Sequence, residues 1–343
     1  MVRDRLSRLM VTRGRIYVLC LLALVFCSEI LSQFSFVSLP ASARVTQLQE
    51  STPTQRPEVS EETMRRANEF LKSGSLHDAE KQVRMNLEKE PDSWVAHFLL
   101  GLILFKQGRA KESLAEYTEG AKHHTPSAED LKIVALNYVL LGDFNEADKW
   151  LSKSIAWNPD DAEAWYHLGR TKYNENHLQE AVEAFRRCLQ LQERNVKAKS
   201  NLGLSLAGLG RVAEAQSTYR EAIAWQAQSA VKAAEPYIDL GDLLLDQNQT
   251  DEAVILLLTA DAISPEDVRV PEMLGRAYWR QNKLGEAQRQ LERAVKLAPA
   301  SAANHYLLAQ VYRKQGMTEK AKIEFDHASE LSAPKALPAS VNH

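Results

Sequence analysis

The chain has 343 residues, 45% of them apolar and 25% charged, with 42 basic against 45 acidic side chains for a net charge of −3. This is a globular composition with enough length for two ordinary domains or one elongated one. With 14 Gly, 12 Pro and three Cys, it favours neither a turn-rich all-β protein nor a disulfide scaffold, and the acidic balance argues against general phosphate-backbone binding.

The first 43 residues differ from the rest. Arg3, Arg5, Arg8, Arg13 and Arg15 precede the apolar run Ile16 to Cys27, which is the pattern of an export signal. Small residues at Ala41, Ser42 and Ala43 would suit a signal peptidase. A second apolar patch from Ile30 to Leu39 would instead extend the run to a signal anchor of about 20 residues. A lipoprotein is disfavoured because Phe26 precedes Cys27, and Met10 is an alternative start. Residues 44–59, polar and with two prolines, read as a flexible linker.

Beyond the linker one unit recurs. Frames of 34 residues begin at Ser60, Trp94, Ala128, Ala162 and Val196, then, after four inserted residues (230–233), at Ala234, Val268 and Ala302. The twentieth position carries Ala79, Ser113, Ala147, Ala181, Ala215, Ala253, Ala287 and Ala321. The eighth carries Ala67, Gly101, Ala135, Gly169, Gly203, Gly241, Gly275 and Ala309, and the twenty-fourth Val83, Tyr117, Leu151, Phe185, Tyr219, Leu257, Leu291 and Phe325. Pro91, Pro159, Pro265 and Pro299 share the thirty-second position. Residues 60–335 are thus one repeat array, followed by a tail at 336–343 expected to be disordered.

This pattern resembles the tetratricopeptide repeat, whose unit has an aromatic, Leu-Gly, Tyr, Ala, Phe and Pro at these offsets. Thr63, Arg66 and Pro271 depart from it. Frame one therefore reads as a degenerate cap, and Pro271 as the start of the first helix of frame seven. The resemblance implies an all-α fold, a right-handed superhelical solenoid of about eight helix-turn-helix repeats. Small residues at the eighth and twentieth positions would let paired helices approach, with the large twenty-fourth filling the space between them. Gly108, Gly142, Gly210 and Gly316 fall in the turns, and Cys188 takes a small core position where it is inert.

Apparent catalytic signals dissolve in this frame. Gly208 to Ala213 matches a dinucleotide-binding pattern but follows a helix and not a strand. His123 and His124 are adjacent, about 100° apart on a helix, without a third ligand at a recognisable spacing. No catalytic residue, metal or cofactor is expected, and the chain does not read as an enzyme.

In proteins similar to this one, the first helix of each pair lines a concave groove. The corresponding positions offer Val95, Phe98, Leu102 and Phe105, then Leu136, Val139 and Leu140, then Tyr166, Arg170 and Tyr173. Further on come Asp242 and Asp246, then Arg269, Arg276, Trp279 and Arg280, and finally Tyr306, Arg313 and Lys314. The functional expectation is an extended peptide or protein segment bound there, apolar at one end and acidic at the other. Competing readings stay open: Phe98, Leu102 and Phe105 pack on the opening segment or on neighbouring frames, and Arg276 simply pairs with Asp242 or Glu272. The last helix, with Ile323, Phe325 and Leu331, suggests self-association or partner docking at the C-terminal end.

The expected protein is an exported, non-enzymatic scaffold of the cell envelope, periplasmic or otherwise extracytoplasmic, with protein or peptide partners. It would touch the membrane through an uncleaved N-terminal segment. The alternative is an accessory subunit that positions substrate for an envelope protease, glycosyltransferase or polysaccharide-export system. A cytosolic adaptor would require the run from Ile16 to Cys27 to be buried.

Overall fold

The structure, a computed structural model, describes residues 57–333, all within one compact unit. The export segment and the C-terminal tail lie outside the described residues. Among those described there are 16 α-helices and no strand. They pair as α1 (Pro57–Ser73) with α2 (Leu76–Leu87), α3 (Trp94–Lys106) with α4 (Ala110–His123), α5 (Ala128–Leu140) with α6 (Phe144–Trp157), and α7 (Ala162–Asn174) with α8 (Leu178–Leu191). The second half pairs α9 (Val196–Gly208) with α10 (Val212–Trp225), α11 (Glu235–Asp246) with α12 (Thr250–Ile263), α13 (Arg269–Arg280) with α14 (Leu284–Leu297), and α15 (Ala302–Lys314) with α16 (Thr318–Ser332).

Two boundaries differ from expectation. The proposed linker does not run to residue 59, because α1 already begins at Pro57, a residue suited to a helix's first turn since its missing N–H has no intrahelical partner there. Helix α13 begins at Arg269 and not at Pro271, which sits buried inside the first turn for the same reason.

Within each pair, close approach is set by the eighth and twenty-fourth positions. A Cβ on Gly101 would lie 2.8 Å from the Tyr117 ring, one on Gly169 2.7 Å from Phe185, and one on Gly203 2.6 Å from Tyr219. Those rings are almost wholly buried, so each glycine admits an aromatic face that alanine would push away. The exception at the twentieth position is also accounted for. Ser113, fully buried, donates to the Gly101 carbonyl at 2.7 Å and accepts from Asn137 Nδ2 at 2.8 Å, so its hydroxyl is satisfied at both ends.

The turn inside every pair uses one left-handed residue at the fifteenth position. Gly74, Gly108, Gly142, Gly210 and Gly316 have φ between 73° and 80°, and Asn176, Asn248 and Asn282 have φ of 58–61°. Asparagine tolerates this region better than other side chains, so it substitutes for glycine at the helix end. Several first helices are fixed by side-chain caps: Ser127 with Asp130 in a reciprocal capping box, and Asp161, Asn195 and Ser301.

Each helix packs on its chain neighbours, and the first helices of successive pairs also touch one another, as α9 does α11 and α11 does α13. Among the described residues no second helix makes comparable contact with the next second helix. The first helices therefore lie on the tighter, inner side of the stack.

Candidate functional site

The inner face divides into three parts. At its beginning, Phe98 is only 7% exposed, seated between Tyr117, Ile133 and Val134, with Leu102 and Phe105 half-buried in the same cluster. Phe98 also fills the space beside Gly120, where a Cβ would come within 2.5 Å of its ring. It is therefore a core residue and not a groove residue, because the following pair packs over it. Leu136 and Val139 are half-buried as well, whereas Val95 and Leu140 remain exposed.

The middle part spans α7 to α13. Arg170 is exposed, with its guanidinium 6.0 Å from the centre of the Tyr166 ring; Tyr166 itself leans on Phe185, and Tyr173 packs into the central core. Two adjoining clefts, of about 230 and 450 Å³, share Tyr166 and Lys197, the first reaching Ser200, Asn201 and Glu235 and the second His167, Arg170 and Asn195. Of the inserted residues, 231–233 border a larger open cleft of about 700 Å³, and the insert is latched by Gln226. That side chain donates to the Ala233 carbonyl at 2.9 Å and accepts from the Ala233 N–H at 2.8 Å.

Two charged groups beneath this surface were not singled out by sequence. Asp239 on α11 accepts from Ser200 Oγ at 2.9 Å, and burial pushes its pKa up to about 6 against that hydrogen bond and the nearby Arg269 charge. Lys132, 3% exposed, is ringed by Glu129, Asp161 and Glu163 at 2.8–3.0 Å. Burial alone would lower its pKa, but the bonds to the three carboxylates raise it above the usual lysine range.

At the far end, Arg276 bonds Asp242 at 2.6 Å, so this guanidinium is already paired within the protein. Arg269 pairs with Asp267 at 2.7 Å and Arg280 donates to the Leu245 carbonyl. Trp279 is half-buried beneath the Lys314 ammonium, 4.8 Å from its ring centre. Tyr306 is 51% exposed and meets Phe325 edge-on, with Arg313 over the other ring at 5.5 Å. Among the described residues Arg170, Lys197, Arg313 and Lys314 make no ion pair. These four cations, spread along the middle and far parts of one face and interleaved with Tyr166 and Tyr306, form a surface suited to carboxylates and apolar side chains together.

Cys188 is buried, and burial pushes its thiol up to about 11, which keeps it protonated. No helix of the described residues is long and apolar enough to cross a membrane.

The family model described as the middle TPR-like domain of cilia and flagella-associated protein 70 matches residues 131–333, and a tetratricopeptide repeat model matches residues 64–128. The chain belongs to the tetratricopeptide-repeat family. As a member of it, the chain is 25% identical over 258 residues to the tetratricopeptide repeat-containing protein trd-1 of Caenorhabditis elegans, a match covering 70% of this chain and 32% of that one. It is 36% identical over 73 residues to the peroxisomal targeting signal receptor of Candida albicans, covering 21% of this chain and 12% of the receptor. The tetratricopeptide repeat chain thus spans about a third or less of the length of these curated relatives. A tetratricopeptide repeat protein from Parabacteroides merdae has the same fold, with a TM-score of 0.60 at 21% identity over 74% of this chain and 99% of that one.

Proposed function

We propose that this solenoid is a non-enzymatic, extracytoplasmic scaffold that holds an extended protein segment along its inner face between α7 and α15. The observation carrying this reading is the set of unpaired cations Arg170, Lys197, Arg313 and Lys314 beside exposed or half-exposed aromatic rings. The bound segment carries acidic side chains, or a free carboxylate, between apolar ones. One relative is named a peroxisomal targeting signal receptor, which supports a peptide ligand here. The basic, apolar start of the chain supports delivery to the cell envelope. Phe98 is removed from the groove, since it belongs to the core.

Photo-crosslinking in living cells tests this. A reactive amino acid at Arg170 or Tyr306 should give one discrete adduct, weakened by Arg313→Glu, whereas the same group at exposed Ile255 on α12 should not. Equal labelling from all three positions would sink the groove reading.

A further inference from the structure

The junction between the seventh and eighth pairs holds an unusual constellation. His305 on α15 is only 6% exposed, and its Nε2 lies 3.1 Å from the Pro299 carbonyl oxygen. A carbonyl can only accept, so Nε2 carries the hydrogen and donates it. The other ring nitrogen, Nδ1, faces Glu324 Oε2 at 2.6 Å. In a neutral ring two acceptors would then confront each other, so a proton bridges them at this separation, and a metal ion could take its place only with the two atoms moved further apart. One turn further along α16, the His327 ring stands at 82° to His305, with centroids 5.3 Å apart. One ligand atom from each of His305, Glu324 and His327 falls within 4.8 Å of the other two.

Comparison along the chain separates what the repeat needs from what this junction adds. At the same fourth position Trp165 merely donates to the Pro159 carbonyl, at 2.9 Å. His97 donates to the Pro91 carbonyl at 2.8 Å and meets Glu116 at 2.7 Å, but the residue one turn beyond is Glu119, engaged with Lys122. A proton suffices there. The eighth pair alone places a second imidazole in that position, and among the described residues no lysine or arginine pairs with Glu324.

We propose that His305 Nδ1, Glu324 and His327 bind a divalent transition-metal ion, Zn²⁺ by the chemistry of the donors. Two imidazoles and one carboxylate with a fourth position for water is an established zinc ligand set. The Nε2–H to Pro299 bond supplies the outer hydrogen bond that fixes a ligating histidine's tautomer and aim. Bonds of about 2.0–2.2 Å set ligand atoms roughly 3.3 Å apart, so the ion would part His305 Nδ1 from Glu324 Oε2, now 2.6 Å, and draw His327 inward. His327 is exposed and can swing to meet them. The ion would tie α15 to α16, with His305 already bonded to the end of the preceding repeat.

The test uses the full chain without a polyhistidine tag, stripped with chelator and titrated calorimetrically with ZnCl₂. One ion per chain should bind, with affinity falling roughly tenfold or more in both His327→Ala and Glu324→Gln and unchanged in the double variant His123→Ala, His124→Ala. Zn²⁺ should also raise the thermal midpoint of the parent chain but not of His327→Ala. Because His327 is exposed, its replacement leaves the fold intact, and matching circular dichroism of the two proteins checks this. Absence of saturable binding, or binding undiminished in His327→Ala, would show that the His305–Glu324 pair is bridged by a proton alone and overturn the proposal.

Discussion

The inner face of the second and third pairs and that of the seventh and eighth are built from the same helix positions, yet they end in different places. In the former, Phe98 at the fifth position is drawn into the stack, because an apolar ring gains more from the next pair than from water. In the latter, Tyr306 at the same position stays half-exposed, because among the described residues no further pair follows α16 to cover it, and Arg313 lies over the Phe325 ring that Tyr306 meets edge-on. An apolar residue at a groove position of a repeat protein is therefore weak evidence for a ligand. An unpaired cation beside an aromatic is stronger.

Mutations can break or sharpen that contrast. The largest effect is expected from Phe98→Ala, which should destabilise by about 3–5 kcal/mol in chemical denaturation while leaving partner capture at Arg170 intact. A groove residue would show the opposite pattern, with stability kept and capture lost.

A pH series probes the middle of the face. Asp239 has a folded pKa of about 6, above the usual carboxylate value, so the folded state binds more protons than the unfolded state between about pH 4 and pH 6. Stability attributable to this group is present below pH 4 and lost as pH rises through 6, by on the order of 3 kcal/mol. Asp239→Asn should remove that part of the decline, measured as thermal midpoint against pH. An identical slope in the variant would assign the decline to other groups.

Next in size is Gly203→Ala, whose methyl would collide with the buried Tyr219 ring and cost about 1–3 kcal/mol. Alanine at exposed Gly285 on α14, where nothing lies within 4 Å, should by contrast be neutral or slightly stabilising. The smallest stability change belongs to Arg276→Ala. Its pair with Asp242 is 31% and 44% exposed, so the loss should stay below about 1 kcal/mol. A larger loss would show that the pair clamps α11 to α13.

The all-α solenoid was legible because small and large residues recur at fixed offsets, and those offsets are the contacts that bring Gly169 to Phe185 and Gly203 to Tyr219. The turns were half legible. Four glycines were visible, but Asn176, Asn248 and Asn282 take the same left-handed conformation without a glycine to announce it. The candidate site was less so, because sequence places a residue on a helix face but does not say whether the next pair covers it, as it covers Phe98. The cluster at His305 was missed for want of a local motif. Its signal was an echo: His97 to Glu116 and His305 to Glu324 are both 19 residues apart, and His327 follows three later.

The purely sequential packing of the helices bears on how the chain is made. Among the described residues every contact of note joins a helix to one of its next two neighbours, so no helix from the far end is needed to complete an earlier layer. Loop closure is short throughout, which favours rapid formation. A chain delivered from its N-terminus can therefore set each layer as the following one emerges, and is never left holding a large unfinished core while it waits for its last residues.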